Sequence, residues 1–329
     1  MNKFRRDLLA VGVPLTLGHC LGNFPQALAQ SFPSKPVKVL IGFSAGSEVD
    51  TVGRLVTQKI AESLGHQFVV ENKTGAGGTI AASAAATAQA DGYTLLVNSV
   101  SHAGVQALYP KLTYDPVKDF AGISQLTSAP NVLLVSPTLG VRTALELVSF
   151  AKQRAGGLNF GSAGVGSGTH MTLEQLRLAT GINLTHVPYK GVPEVMTDTM
   201  AGRVHTCFAP IGNALNLIRD GKLLALAVST STRSPVLAQT PTLAETVAPG
   251  LDWDQWYGFF APSKTPRPII ELLSRETAKA LALPEIRDRL VARGSVPKPS
   301  APDQFDQFVR DEVAKVSKVI RDGNIRIDS

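Results

Sequence analysis

Phe160-Gly161-Ser162-Ala163-Gly164-Val165-Gly166-Ser167-Gly168-Thr169-His170 joins a short apolar run, Leu158 to Phe160, to a helical pattern with Met171, Leu173, Leu176 and Leu178 on its apolar side. A strand that turns into a helix through small residues leaves the first N–H groups of the helix without intrahelical acceptors. Those donors and the positive end of the helix dipole attract an anion. The chain makes a second such bend at Gly42-Phe43-Ser44-Ala45-Gly46-Ser47, between Val37–Ile41 and a helix predicted over Glu48 to Leu64. Two anion-ready bends far apart in sequence point to a ligand gripped from two sides.

Outward from these bends, strand-like and helix-like runs alternate, which predicts an α/β fold. In the predicted helix Glu48–Leu64, residues Val49, Val52, Leu55, Val56 and Ile60 share one face and Gly65 ends it. Thr74-Gly75-Ala76-Gly77-Gly78 opens an alanine-rich helix to about Ala90, and Tyr93–Asn98 follows as a strand. Phe120–Thr127 and Val132–Ser136 read as two strands parted by Ala129-Pro130-Asn131. Further helices are expected from Thr143 to Arg154, up to Thr180, over Val192–Met200 and over Ile211–Arg219. Strands are expected at Leu184–Val187, Val204–Phe208, Leu223–Val228 and Trp256–Ala261. Three helical patterns, Pro268–Leu281, Pro284–Arg293 and Asp303–Ile320, close the chain. No low-complexity linker divides it, so two lobes would require the chain to cross between them more than once. Ser128–Asn131 and Val247–Trp253 are the expected crossings, a hinge suited to domain closure.

The N-terminus carries the three-part pattern of a secretory leader: Lys3, Arg5 and Arg6, an apolar stretch from Leu8 to Leu21, and Ala27-Leu28-Ala29 as a small-x-small cleavage site. Residues 1–29 are therefore expected to be a signal peptide cut after Ala29, by a Sec or Tat route. His19 ahead of Cys20 argues against a lipobox. The 329-residue chain carries 32 Lys and Arg against 26 Asp and Glu, a net charge of +6. That mild balance, without a basic block, does not indicate nucleic acid but suits small acidic ligands. Cys207 is the sole cysteine after cleavage and reads as a buried small hydrophobe.

Several sharper readings fail on context. Gly42-Phe43-Ser44-Ala45-Gly46 matches the Gly-x-Ser-x-Gly elbow of hydrolases, and Ser44, Asp198 and His205 can be written as a triad. The elbow would sit on the first mature strand, with no upstream loop for a second oxyanion donor. His102, His170, His186 and His205 are singletons, so no metal spacing exists. Ile80 stands where a dinucleotide fingerprint after Gly75-Ala76-Gly77-Gly78 needs a small residue. Trp253, Trp256 and Tyr257 read as core rather than as an aromatic ligand box.

The chain resembles the Bug family of extracytoplasmic solute receptors, the binding components of tripartite tricarboxylate transporters, from about Pro33 to Arg293. The resemblance rests on Pro36-Val37-Lys38-Val39-Leu40-Ile41, Val69-Val70-Glu71-Asn72-Lys73-Thr74-Gly75-Ala76-Gly77-Gly78, Asp91-Gly92-Tyr93-Thr94-Leu95-Leu96 and Gly166-Ser167-Gly168-Thr169-His170. Val187-Pro188-Tyr189-Lys190-Gly191, Leu226-Ala227-Val228-Ser229 and Pro241-Thr242-Leu243-Ala244-Glu245 complete the series. It implies a two-lobed, Venus-flytrap fold of the type II periplasmic-binding-protein kind, acting without catalysis, cofactor or metal. Lobe 1 is expected at residues 30–130 and 253–329, and lobe 2 at 131–252.

The implied ligand is a small carboxylate-bearing solute, a dicarboxylate, an amino acid or an aromatic acid, and the implied partners are integral membrane permease subunits met by a periplasmic monomer. An orphan receptor signalling to a membrane kinase and a hydrolase using Ser44 are the alternatives. The first bend would contribute Phe43, Ser44, Ala45, Gly46, Ser47 and Asp50. Asn98, Ser99 and Ser101 would rim the cleft. The second bend would add Ser162, Gly164, Gly166, Ser167, Gly168, Thr169 and His170. One departure stands out: where the family reads Pro-Phe-x-x-Gly-Gly-x-x-Asp, this chain has Gly42, Ser47 and Glu48. Glu48 is expected either to face solvent or to pair with a cationic group on the ligand.

Overall fold

The computed structural model describes residues 32–109 and 111–325. The expected leader, with its cleavage site, lies outside the described residues. In chain order the first elements are β1 (Val37–Ile41), α1 (Glu48–Leu64), β2 (Phe68–Asn72), α2 (Thr79–Ala86), β3 (Thr94–Ser99), α3 (Ser101–Leu108) and β4 (Phe120–Val135). Then come α4 (Ala144–Gln153), β5 (Leu158–Ser162), α5 (Gly168–Thr180), β6 (Leu184–Pro188), α6 (Val192–Met200), β7 (Thr206–Pro210), α7 (Ile211–Arg219), β8 (Leu224–Val228) and the short α8 (Leu243–Thr246). β9 (Asp254–Pro262), α9 (Arg267–Ala282), α10 (Pro284–Val291), β10 (Val296–Pro297) and α11 (Pro302–Asp322) finish the chain.

The strands form one path, β2-β1-β3-β9-β4-β7-β5-β6, with β8 and β10 also paired to β4. The path has two similar halves, β2-β1-β3 and β6-β5-β7, each parallel within itself. β9 and β4 run antiparallel to their neighbours between these halves. Side chains alternate across the pleat: Leu40, Leu96, Leu133 and Val135 join one apolar cluster, whereas Val39, Ile41, Val97, Val132 and Leu134 join the other. Helices cover both faces, giving the expected α/β fold with two lobes. On α1, Val52, Val56 and Ile60 are fully buried, each contributing about 1.5–3 kcal/mol of transfer free energy.

The predicted bounds of α1, α6 and α7 hold to the residue, and α5 ends at Gly181 in the left-handed region. Two readings need correction. Phe120 to Val135 is a single strand, not two. Pro130, opposite Asp254, is the last residue paired with β9, and pairing with β7 begins at Asn131 opposite Pro210. The missing proline donor thus falls where the strand changes neighbours. Asn131 is anchored by Ser229, whose Oγ accepts from its N–H at 2.9 Å and whose N–H donates to its carbonyl at 2.9 Å. Secondly, α2 stops at Ala86 rather than near Ala90, and the Thr87 hydroxyl folds back on the Ser83 carbonyl at 2.9 Å. The return from β8 to β9 is pinned by Trp253 N–H donating to Ser229 O at 2.9 Å.

Candidate functional site

The two glycine-serine bends are near copies in backbone. Gly46 has φ +81° and Gly166 φ +78°, values that favour glycine. Ser47 sits at φ −61°, ψ 156° and Ser167 at φ −64°, ψ 158°. Ser47 N–H donates to Ser44 O at 3.2 Å, and Ser167 N–H donates to Gly164 O at 3.1 Å. Each glycine N–H then donates to the side chain four residues on: Gly46 to Asp50 Oδ2 at 3.0 Å, Gly166 to His170 Nδ1 at 3.1 Å.

Asp50 and His170 therefore brace the bends from behind. Asp50 Oδ1 accepts from Arg54 Nε and Asn72 Nδ2, both at 2.9 Å. His170 stacks on His186 with ring centroids 4.0 Å apart, and its Nε2 lies 3.7 Å from Glu174 Oε1. Because Nδ1 accepts from Gly166, the ring proton sits on Nε2, towards Glu174. Burial first, then His186 and Arg177, pushes the His170 pKa down to about 3, so the ring is neutral at physiological pH. Ser162 Oγ bonds His186 Nε2 and accepts from Gly164 N–H at 3.1 Å, on the same rear side. Asn98 Oδ1 likewise accepts from Ser99 N–H at 2.9 Å and Ser101 Oγ at 3.2 Å, shaping the entry to α3.

Between the bends lies a narrow cavity of about 20 Å³, lined from the first half by Phe43, Ser47, Glu48, Val49 and Ser99. Ala163, Ser167, Gly168, Thr169, Val192 and Pro210 line it from the second half, and Gln255 and Tyr257 of β9 complete it. Of the residues singled out in the sequence, it unites Phe43, Ser47, Ser99, Ser167, Gly168 and Thr169. All sit at carboxyl ends of parallel strands or at the helix starts that follow them, the usual crevice of open α/β sheets. The starts of α1, α5, α6 and α7 converge here. Ser47 makes no side-chain cap, and Ser167 Oγ caps only His170 N–H. The first-turn N–H groups of Glu48, Val49, Gly168 and Thr169 have no i−4 acceptor within their helices.

Hydrogen bonds tie the first bend to the second half. Ser44 Oγ donates to Glu194 Oε2 at 3.0 Å, and Asn213 Nδ2 donates to Gly46 O at 2.7 Å. Gly191, at the start of α6, lies against Ser44, where a methyl group would come within 1.9 Å of Oγ. Ala45 and Gly46 are exposed at the cleft mouth. Gly77, from the glycine loop before α2, meets the second bend: a methyl there would lie 2.2 Å from the Val165 carbonyl oxygen.

Sequence reasoning missed Gln255, Tyr257, Glu194, Asn213 and Arg293, which reach the site from distant segments without a local motif. Gln255 is 4% and Tyr257 1% exposed, and neither Gln255 Oε1 nor Tyr257 Oη has a hydrogen-bond partner among the described residues. Burial, reinforced by the nearby Glu48 carboxylate, pushes the Tyr257 pKa well above its usual value, which keeps the phenol protonated as a donor. Trp253 and Trp256 are core residues, as predicted.

Glu48 corrects both expectations placed on it. Its side chain is fully buried, and it pairs within the chain rather than facing solvent or a ligand cation. Oε2 accepts from Arg293 Nη2 at 2.6 Å and Oε1 from Ser295 Oγ at 2.9 Å. The written triad is dispersed: Ser44 donates to Glu194, His205 Nδ1 accepts from Asn159 N–H at 2.9 Å, and Asp198 binds Tyr189 Oη at 2.7 Å and Arg203. Cys207 is buried and its thiol pKa is pushed up to about 12 by desolvation. Among the described residues no group of three or more His, Cys, Asp or Glu could hold a metal.

The family model of the tripartite tricarboxylate transporter family receptor matches residues 52–325. BugT of Bordetella pertussis is 32% identical over 301 residues, covering 91% of this chain and 92% of that protein. The structure of R. palustris Rpa4515 with adipate is similar at a TM-score of 0.87 and 32% identity, over 90% of this chain and all of that one. MatC (Rpa3494) from Rhodopseudomonas palustris, with bound malate, aligns at a TM-score of 0.84 and 35% identity, over 88% of this chain and all of that one. With its two lobes, its cleft between paired bends and these relatives, the chain belongs to the Bug-type family of tripartite tricarboxylate transporter receptors.

Proposed function

We propose that this chain is an exported periplasmic receptor that closes two lobes around a small carboxylate-bearing solute and passes it, chemically unchanged, to integral membrane permease subunits. The lobes are residues 30–130 with 253–329, and residues 131–252. The observation that carries the reading is the convergence of helix starts from both halves on one cavity, those of α1, α6 and α7 without a side-chain cap and that of α5 capped only at His170 N–H. Backbone N–H groups at helix ends bind an anion with little reorganisation, because the surrounding structure already fixes them. The neighbours that hold adipate and malate support a carboxylate as ligand. The leader-like N-terminus and the family support export. The dispersal of Ser44, Asp198 and His205 supports binding without turnover.

Thermal-shift and calorimetric titration of the mature protein against mono-, di- and tricarboxylates and amino acids tests this reading. A true ligand at a hundredfold excess over its Kd stabilises by about 2.7 kcal/mol, and NMR of the recovered ligand should show it unaltered. Binding by no carboxylate, or the appearance of a product that Ser44→Ala abolishes, would refute it.

A further inference from the structure

Glu48 occupies the helix position of the first bend that Gly168 occupies in the second, directly after the matched serines. At Gly168 there is no side chain, and the Gln255 amide fills the place one would take, its Oε1 1.7 Å from where a Cβ would stand. At Glu48 a carboxylate extends to two donors that a free carboxylate would seek, the Arg293 guanidinium at 2.6 Å and the Ser295 hydroxyl at 2.9 Å, and packs against the amino end of α7. At that end Gly212 lies so close that a methyl group would sit 2.6 Å from both carboxylate oxygens. Glu48 is also the one charged residue among those lining the cavity, which includes no lysine or arginine.

We propose that Glu48 is the specificity-determining residue of the cleft: its carboxylate fills, from within the chain, a second anion subsite, so the receptor takes solutes with one carboxylate and excludes dicarboxylates. The proposal rests on the receptor reading above and names the ligand class of that same site. The single ligand carboxylate faces the helix starts of α1 and α5, where N–H groups supply the positive field. A second ligand carboxylate would meet the Glu48 anion, whose cation is already engaged, and like charges brought together at a binding site cost several kcal/mol. The rest of the lining favours a short, mostly apolar body, through Phe43, Val49 and Val192. The unpartnered Tyr257 hydroxyl and Gln255 carbonyl suit a neutral polar group, such as a hydroxyl or an amide, on that body.

The test is calorimetric titration of the wild type and of Glu48→Ser with propionate, lactate, malate and adipate. Wild type should bind propionate or lactate at least about tenfold more tightly than malate or adipate. Glu48→Ser, which frees Arg293, Ser295 and the α7 end, should gain about tenfold or more in affinity for malate. A folded Glu48→Ser protein with unchanged malate affinity overturns the proposal. So does wild type binding malate or adipate as tightly as the monocarboxylates, a ranking that decides the matter even if the variant does not fold. In both cases the receptor reading survives. Wild type binding none of the four anions overturns the proposal and leaves the receptor reading to the wider panel of tricarboxylates and amino acids.

Discussion

Gly77→Ala would place a methyl group 2.2 Å from the carbonyl oxygen of Val165, on the bend contributed by the other half of the sheet. Backbone cannot rotate away as a side-chain tip can, so the closed arrangement must shift by roughly 1 Å to restore van der Waals separation. Overpacking of this kind costs about 1–3 kcal/mol. On the proposed receptor reading the loop and the bend touch only when the lobes are closed, so the cost would fall on the binding-competent form. It appears as weaker affinity, because apparent Kd scales inversely with the competent fraction. A midpoint of about 2 kcal/mol corresponds to roughly thirtyfold. Gly77 also has φ +62°, and a left-handed alanine costs about 1–2 kcal/mol whatever its surroundings.

Gly65→Ala isolates that second cost: Gly65 has φ +68° and nothing within 4 Å of the added methyl. Both variants should therefore lose about 2–4 °C or somewhat more in Tm, and only Gly77→Ala should lose affinity. Calorimetric titration with the best carboxylate ligand, alongside small-angle scattering with and without it, reads the two effects separately. Wild-type affinity and normal ligand-induced compaction in Gly77→Ala would refute the claim that this contact belongs to closure.

Ser44→Ala and Asn213→Ala each remove one hydrogen bond between the first bend and the opposite half, so each should weaken carboxylate binding about three- to tenfold by calorimetry with Tm nearly unchanged. Asp50→Ala strips the acceptor from Gly46, Arg54 and Asn72 and should destabilise by about 2 kcal/mol in urea titration, the half-exposed Arg54 moderating the loss. Burial holds His102 and His186 at about 4 and His170 at about 3, against 6.5 for the free side chain. Between those values the unfolded chain binds more protons than the folded one, so stability rises with pH and falls on acidification from about 6.5 towards about 4. The slope is up to roughly 1.4 kcal/mol per pH unit for each histidine. Urea midpoints that stay level between about pH 7 and pH 5 would contradict this, and His102→Gln should flatten the slope by removing one of the three.

What could be read from the chain was what repeats locally. The apolar stripe of α1, with Gly65 behind it, and the glycine-closed α5 carry their own boundaries because side-chain periodicity and left-handed caps are local. The bends were legible for the same reason, since small residues between a strand and a helix are a local signature. β4 was misread because Ala129-Pro130-Asn131 has turn composition, and only the change of partner strands explains why a proline fits there. α3 carries no helical stripe over Asn98-Ser99-Val100-Ser101-His102 and so was not legible; the Asn98 side chain bonds the Ser99 N–H and the Ser101 hydroxyl at its start. Glu48 defeated local reading altogether: its partners Arg293 and Ser295 lie some 245 positions away in the chain. Gln255 and Tyr257 reached the cavity only because β9 returns between β3 and β4.

An unbroken β4 constrains how this receptor can open. A ribbon clamped by neighbours along both arms can yield by torsion but not by sliding, since a slip of one residue would turn its apolar side chains out of both cores. On the proposed two-lobe division the pivot would fall at Pro130, where β4 changes neighbours and which has no N–H to surrender, so rotation there would break no donor bond at that residue. Jaws hung on such a strand would swing along a nearly fixed arc and return in register, so the two bends would meet the same way on every cycle.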